Sequence, residues 1–338
     1  MSFLILDWQL FSIMPGIDTH GLQEQNDSDN INFLIQFSKE CFCPIFIFTN
    51  ESVDDIVLKL SEKGLYNESG PNRIFIKNKV DVVEVDLFRE ITKWMKSTPF
   101  MYVLKQWQYE YDKARSCFFN EFQTLNPYWP LVMWKTYKND GIDPSVEIGD
   151  LVTRNLYARM SPFHFDGSIF GKQYPGINKT ELRLILQGER YVGKEYLQKD
   201  DKQPGDLFKE KDMDDNPIYW LNIRARCDLV RDSNPDLYCL KGTIIDESLI
   251  NSDKGPKFLE GQFIERVDNA IIAFIDEGVI VEFLLHDLEK FKWNDKKENR
   301  IGRIFPPYIN KIQQKYVAYL ERQGLPRIPK DVINENKA

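Results

Sequence analysis

The sequence is poor in the residues that announce chemistry. Histidine occurs three times in 338 residues and cysteine five times. The cysteines (Cys41, Cys43, Cys117, Cys227 and Cys239) are odd in number and scattered. That excludes a disulfide framework and fits thiols kept reduced in a cytoplasm. Cys41-x-Cys43 lacks the second ligand pair that structural zinc requires, so no metal is expected. No apolar run approaches the roughly 18–20 residues that span a bilayer, and no signal-peptide pattern precedes the first strand. The chain therefore reads as cytoplasmic. Net positive charge is missing as well: the formal charge is −8, which argues against a general nucleic-acid binder. No glycine-rich phosphate loop with a following lysine occurs, so no nucleotide cofactor is expected by that route. Internal repeats and low-complexity tracts are also absent.

What remains is apolar material. Hydrophobic residues make up 42% and aromatics 13%, enough at this length for two or three cores. Phe3–Leu6, Pro44–Phe48 and Arg73–Ile76 are short apolar runs of the kind buried on both faces of a sheet. Amphipathic segments separate them. The polar stretch Gln23–Asn30 reads as a loop, with Ser28 or Asp29 capping a helix that carries Ile31, Leu34 and Ile35. Ser52 caps a second helix that stops at Gly64, and Leu87–Met95 forms a third. This alternation predicts a parallel sheet with helices on both faces over residues 1–97.

Residues 98–166 read as an all-helical connector. Pro99 suits a first helical turn, and Leu104, Trp107, Tyr111, Ala114, Phe118 and Phe122 recur at steps of three or four. Helices are expected at Leu131–Lys138 and Ser145–Met160. Residues 167–330 read as an α+β domain. It has a helix at Lys179–Gly188, strands at Ile218–Cys227, Leu237–Leu240 and Ala270–Ile275, and a hairpin turn at Ile275–Val279. Its final helix starts at Pro306-Pro307 and stops at Gly324. Gln203-Pro204-Gly205-Asp206 is similar to the start of small SH3-like barrels.

Asp7, Thr49 and Lys77 each stand at the carboxyl end of an expected parallel strand, where such sheets form their crevice. A carboxylate, a hydroxyl and an ammonium gathered there could accept a phosphoryl group. With these residues, and with Asp7-Trp8-Gln9-Leu10 followed by Pro15-Gly16, the N-terminal module resembles a truncated, flavodoxin-like response-regulator receiver domain. The family's first strand, with the acidic pair that binds Mg²⁺, has no counterpart before Phe3, so Asp7, Thr49 and Lys77 are expected to be an inactive, pseudo-receiver set. The strand Phe3–Leu6, central in that family, becomes an apolar edge here. The chain as a whole, including Arg300-Ile301-Gly302-Arg303 and the tail Gln323–Pro329, is similar to prokaryotic antiphage (conflict) proteins. Those are encoded beside Hsp90-like (histidine-kinase-type) ATPases. The resemblance implies a non-enzymatic adaptor in signal transduction that engages such an ATPase and an effector through protein–protein interaction.

Other constellations are weaker. Arg159 and His164 have the spacing of a helical RNase, but Pro162 interrupts the helix that would align them. Cys227-Asp228 lies among Arg224, Arg226 and Arg231, which could activate a thiol; a buried strand cysteine is the plainer reading. These leave a nuclease-like effector as the alternative, beside a true phospho-acceptor with a mis-assigned start. Arg300, Arg303, Lys311, Lys315 and Arg322 are interleaved with Phe305, Tyr308, Tyr316 and Tyr319. That mixture suits a solvated helix face, a dock for an acidic protein, or a nucleic-acid contact.

Overall fold

In a computed structural model of the chain, residues 3–9, 20–68, 70–82, 87–160, 164–171, 176–245, 265–266 and 269–322 are described. The Pro15-Gly16 loop, Pro162, and the tail with its Gly324 stop lie outside them. The chain divides into two compact units, Met1–Val132 with Ile148–Gln173, and Met133–Glu147 with Tyr174–Ala338. No helix among the described residues is long and apolar enough to cross a membrane.

The first unit begins with β1 (Leu4–Asp7), α1 (His20–Glu40), β2 (Ile45–Thr49), α2 (Val53–Glu62), β3 (Ile74–Asn78) and α3 (Leu87–Ser97). The strands are parallel in the order β1-β2-β3. Every residue of β2 is buried, which is why its sequence IFIFT shows no polar alternation. Ile45 and Ile47 pack on one face with Leu34 of α1 and Ile56 and Leu60 of α2. Phe46 and Phe48 pack on the other with Ile91 and Trp94 of α3, the Phe46 and Trp94 rings meeting edge to face at 5.1 Å. Ser52 caps α2 by accepting the Asp55 N–H. α4 (Pro99–Leu125) carries Pro99 in its first turn. Its Ala114 and Phe118 bury against Leu156 of α6 (Pro144–Arg159). α5 (Trp129–Asn139) lies between them in sequence, followed after α6 by the short α7 (Gly167–Phe170).

The helix expected to start at Ser28 or Asp29 begins much earlier, and Gln23–Asn30 lies inside it. Three of its polar residues, Asn26, Asp27 and Asn30, are buried for a reason that lies outside the helix. The carbonyl of Trp8, just past β1, accepts from Asn26 Nδ2 and Asn30 Nδ2, each at 2.7 Å. The Trp8 indole N–H donates to Asp27 Oδ1 at 2.7 Å.

The second unit overturns the α+β expectation for 167–330. After α8 (Lys179–Gly188) come β4 (Tyr191–Gly193), β5 (Asp206–Lys211), β6 (Pro217–Asn222), α9 (Arg226–Leu229) and β7 (Asp236–Ile244). Then follow β8 (Glu265–Arg266), β9 (Asn269–Ile275), β10 (Val279–Lys292), α10 (Trp293–Lys296), β11 (Arg300–Ile304) and α11 (Tyr308–Glu321). The strands make one antiparallel sheet in the order β4-β11-β5-β6-β7-β10-β9-β8. It curls into a nearly closed, barrel-like form. Tyr191 near one edge and Ala270 and Ile275 near the other bury in the same core as Leu221, Leu240 and Phe283, which Ile309 and Ile312 of α11 complete. α8 lies against both β4 and β9. The outer face buries Phe208, Trp220 and Leu237 under Leu229 and Trp293. Gly205, at φ +92°, enters β5 so close to β11 that a Cβ would collide with the Ile304 carbonyl.

The clamp of this sheet is Asp206, fully buried at the start of β5. Its Oδ1 accepts from Arg303 Nε at 2.9 Å, with Arg300 Nη1 at 3.5 Å. Burial pushes its carboxyl up, and the two guanidiniums oppose that. We predict that Asp206→Ala, which takes from two buried guanidiniums the carboxylate they share, lowers unfolding stability by about 3–5 kcal/mol. Urea unfolding followed by circular dichroism measures this, and a loss below about 1 kcal/mol, the size of an ordinary substitution, would sink it.

Candidate functional site

β1, β2 and β3 do bring Asp7, Thr49 and Lys77 to one end of the parallel sheet. The ladder, however, keeps them apart. Asp7 and Lys77 are both in register with Phe48, so they flank β2 at two strand spacings, about 9–10 Å. Thr49 is one residue further on, in register with Asn78, and so belongs to the opposite face of the pleat.

Each side chain then has a different partner. Thr49 is fully buried, and its hydroxyl accepts the Glu51 N–H at 2.9 Å, closing the turn into α2. Lys77 Nζ pairs with Glu90 Oε2 of α3 at 2.8 Å. Asp7 Oδ1 accepts the Gln9 N–H at 3.2 Å, and its Oδ2 pairs with Lys79 Nζ at 2.7 Å. Lys79 is the residue that the sequence analysis missed. It opens a single 3₁₀ turn, Lys79–Asp81, after β3, whose cap Asn78 Oδ1 accepts the Val80 N–H. That turn carries the lysine to Asp7. The visible signal was the pattern Lys77-x-Lys79, with Asn as a capping residue between the lysines.

Asp7 is held from behind by its neighbour. The Trp8 N–H donates to the Phe48 carbonyl at 3.0 Å, its indole and carbonyl are tied to α1 as described, and Lys59 of α2 takes the second oxygen of Asp27. Both helices on that face thus fix the backbone at the strand end. The side-chain ends of Asp7 and Lys79 stay half-exposed.

The C-terminal cations divide into two groups. Arg300 and Arg303 turn inward. Arg300 Nη1 donates to the Asp201 carbonyl at 2.6 Å, and Nη2 to the Gln198 and Lys199 carbonyls at 2.6 and 3.1 Å. Arg303 Nη1 donates to Asp201 Oδ2 at 2.7 Å. Burial works against the Arg303 charge, yet Asp206 and Asp201 outweigh it and hold the group above its ordinary value. Both guanidiniums are committed to the fold and unavailable to a ligand. Lys311 and Lys315 lie on α11, and Arg322 follows it with its guanidinium 4.0 Å from the Tyr319 ring centre.

Of the remaining candidates, Arg159 ends α6 and is bound by Glu121 of α4, while His164 lies beyond the helix. The strand expected to reach Cys227 stops at Asn222. Cys227 sits exposed on α9, not buried in a strand, with Sγ 3.8 Å from Asp228 Oδ1. Cys43 is buried, and burial followed by the neighbouring Cys41 pushes its thiol up to about 11, away from reactivity. Among the described residues, no three His, Cys, Asp or Glu side chains gather so as to hold a metal ion. No family model, curated protein or solved structure matches this chain.

The Lys77–Glu90 pair has a measurable signature. The hydrogen bond from Lys77 holds the Glu90 carboxyl below its ordinary value, with desolvation opposing. A depressed folded-state value means the stabilisation is complete above the ordinary carboxylate range and fades as pH falls through the folded value. Glu90→Gln should therefore lower stability at neutral pH and narrow its gap to the parent on acidification. Parallel stability curves for the two proteins across that range would show that the pair contributes nothing.

Proposed function

We propose that this chain is a non-catalytic regulatory or adaptor protein whose N-terminal pseudo-receiver module binds a protein partner instead of accepting a phosphoryl group. One observation carries the reading: Asp7 and Lys77 are each neutralised by a different internal partner, Lys79 and Glu90. Phosphoryl transfer needs the carboxylate, hydroxyl and ammonium aimed at one reacting atom. Here the ammonium of Lys77 is turned to α3, and the Thr49 hydroxyl serves a turn.

The same module offers a surface. Among the described residues, the strand order leaves the outer side of β1 without a neighbouring strand, and Ile5 at its centre is 43% exposed. Strand edges bind extended segments by backbone pairing, with alternate side chains adding specificity. The resemblance to prokaryotic antiphage adaptors makes an Hsp90-like ATPase the first partner to test.

Two measurements on the full chain test this. Incubation with acetyl phosphate and Mg²⁺, read by intact mass, should add no phosphoryl group to Asp7. Co-purification with an Hsp90-like ATPase encoded beside the gene should succeed. The Ile5→Lys variant should weaken that complex at least about tenfold, the equivalent of 1.4 kcal/mol, while its melting temperature stays unchanged. An acyl phosphate on Asp7 would overturn the inactive reading. A complex indifferent to Ile5→Lys, or no complex, would overturn the docking role.

A further inference from the structure

The barrel-like unit carries a cleft of about 440 Å³ where its two edges approach. That volume lies within the range of small-molecule sites. One wall is the C-terminal end of α8, with Leu184 and Gly188, and the opposite wall is β4 with Tyr191. The Ile275–Val279 turn closes a third side and is pinned to α8 by the Gly278 N–H, which donates to Gln187 Oε1 at 3.1 Å.

Gly193 of β4 lines the cleft and faces Gly302 of β11 across the ladder. A Cβ on Gly302 would collide with the Tyr191 ring, and one on Gly193 with the Glu195 carboxylate. Glycine at both places is what lets the ring and the carboxylate lie in the cleft. Tyr191 donates its hydroxyl to the Ile301 carbonyl at 2.6 Å, which fixes its ring as part of the wall.

Three carboxylates line this space: Glu195, Asp276 and Glu277. Asp276 is the best anchored, its Oδ2 accepting from Tyr219 Oη at 2.8 Å and from Lys209 Nζ at 2.7 Å. Among the described residues, neither Glu195 nor Glu277 has an ion-pair partner. Burial, and then the charges of Asp276 and Glu195, push the Tyr191 phenol up, in keeping with a negative field inside the cleft. The carboxylates do not gather into a set that could hold a metal ion. Their spread along an aliphatic and aromatic wall, with the largely exposed Tyr196 at the rim, suits a cation that brings its own hydrocarbon. Aromatic faces and carboxylates together recognise that chemistry.

We propose that this cleft is a binding site for an organic cation, an ammonium or guanidinium on a short hydrocarbon chain. Such a group reaches the cleft either as a free amine or as an arginine or lysine side chain of a partner protein. The proposal is independent of the reading of the N-terminal module.

The test is isothermal titration of the full chain at fixed ionic strength with three probes. Agmatine stands for the free amine, N-acetyl-arginine amide for the side chain, and N-acetyl-citrulline amide is the uncharged counterpart. Saturable one-site binding is expected for at least one cationic probe. Which of them binds identifies the source, and citrulline should bind at least about tenfold more weakly, 1.4 kcal/mol. The double substitution Glu195→Gln, Glu277→Gln should cost a similar factor. Gly188→Trp, at a position with open space around its Cα, should block the cleft. Both variants must keep the parent melting temperature to count. The proposal fails if neither cation saturates, if citrulline binds equally well, or if folded variants bind as the parent does.

Discussion

A single buried carboxylate organises the larger half of this protein. Asp206 has no exposed surface, and the two arginines it meets come from β11, nearly a hundred residues later in the chain. Those arginines also collect the carbonyls of Gln198, Lys199 and Asp201, so the segment leading into β5 is tied to the strand that flanks it. β11 sits between β4 and β5, and α11 directly after it supplies Ile309 and Ile312 to the interior. Buried charges of this kind cost desolvation and return it only when every donor is used. Here the guanidinium donors are spent on carbonyls and carboxylates, which makes the register of β11 specific where apolar contacts alone would tolerate sliding.

The smaller unit uses a related device, centred on a tryptophan. Trp8 carries its indole and carbonyl into the buried face of α1, where two asparagines and an aspartate receive them. The strand end bearing Asp7 is rigid because of this, whereas the Asp7 side chain stays half-exposed and paired with Lys79. Rigid backbone with internally neutralised charge suits a surface that is recognised better than one that reacts.

Much of the local structure was legible. The uninterrupted run IFIFT marked a strand buried on both sides, Ser52 marked a helix start, and Pro99 with its seam of apolar residues marked α4. The failures share one cause: long-range partners that reverse a local signal. Gln23–Asn30 looks like a solvated loop, and it is helical because its amides serve Trp8. The alternation Asn222-Ile-Arg-Ala-Arg-Cys227 continues a strand pattern, but Asn222 is the last residue of the strand. Its Oδ1 accepts the Arg224 N–H and its Nδ2 donates to the Gln203 carbonyl. Arg300 and Arg303 read as a basic surface because charge sign says nothing of direction, and it is Asp206, with Asp201 and the carbonyls before β5, that they face. Of the strands of the second unit, β6, β7 and β9 were visible singly and β4, β5, β8 and β11 were not, while their order, which makes the sheet barrel-like, depends on pairings that no local pattern encodes.

β10 has a consequence for how the second unit assembles. Its first half pairs with β9 across a tight turn, and β7 pairs with both halves, Val281–Phe283 and Leu288–Lys292, on either side of a register shift. The first pairing closes almost no loop and can form early. The second must close a long one, and its entropy cost is repaid only once the Phe283 side of the core is in place. The β9–β10 hairpin, confined to one side of that shift, can thus serve as the template on which β7 and the rest of the sheet are laid.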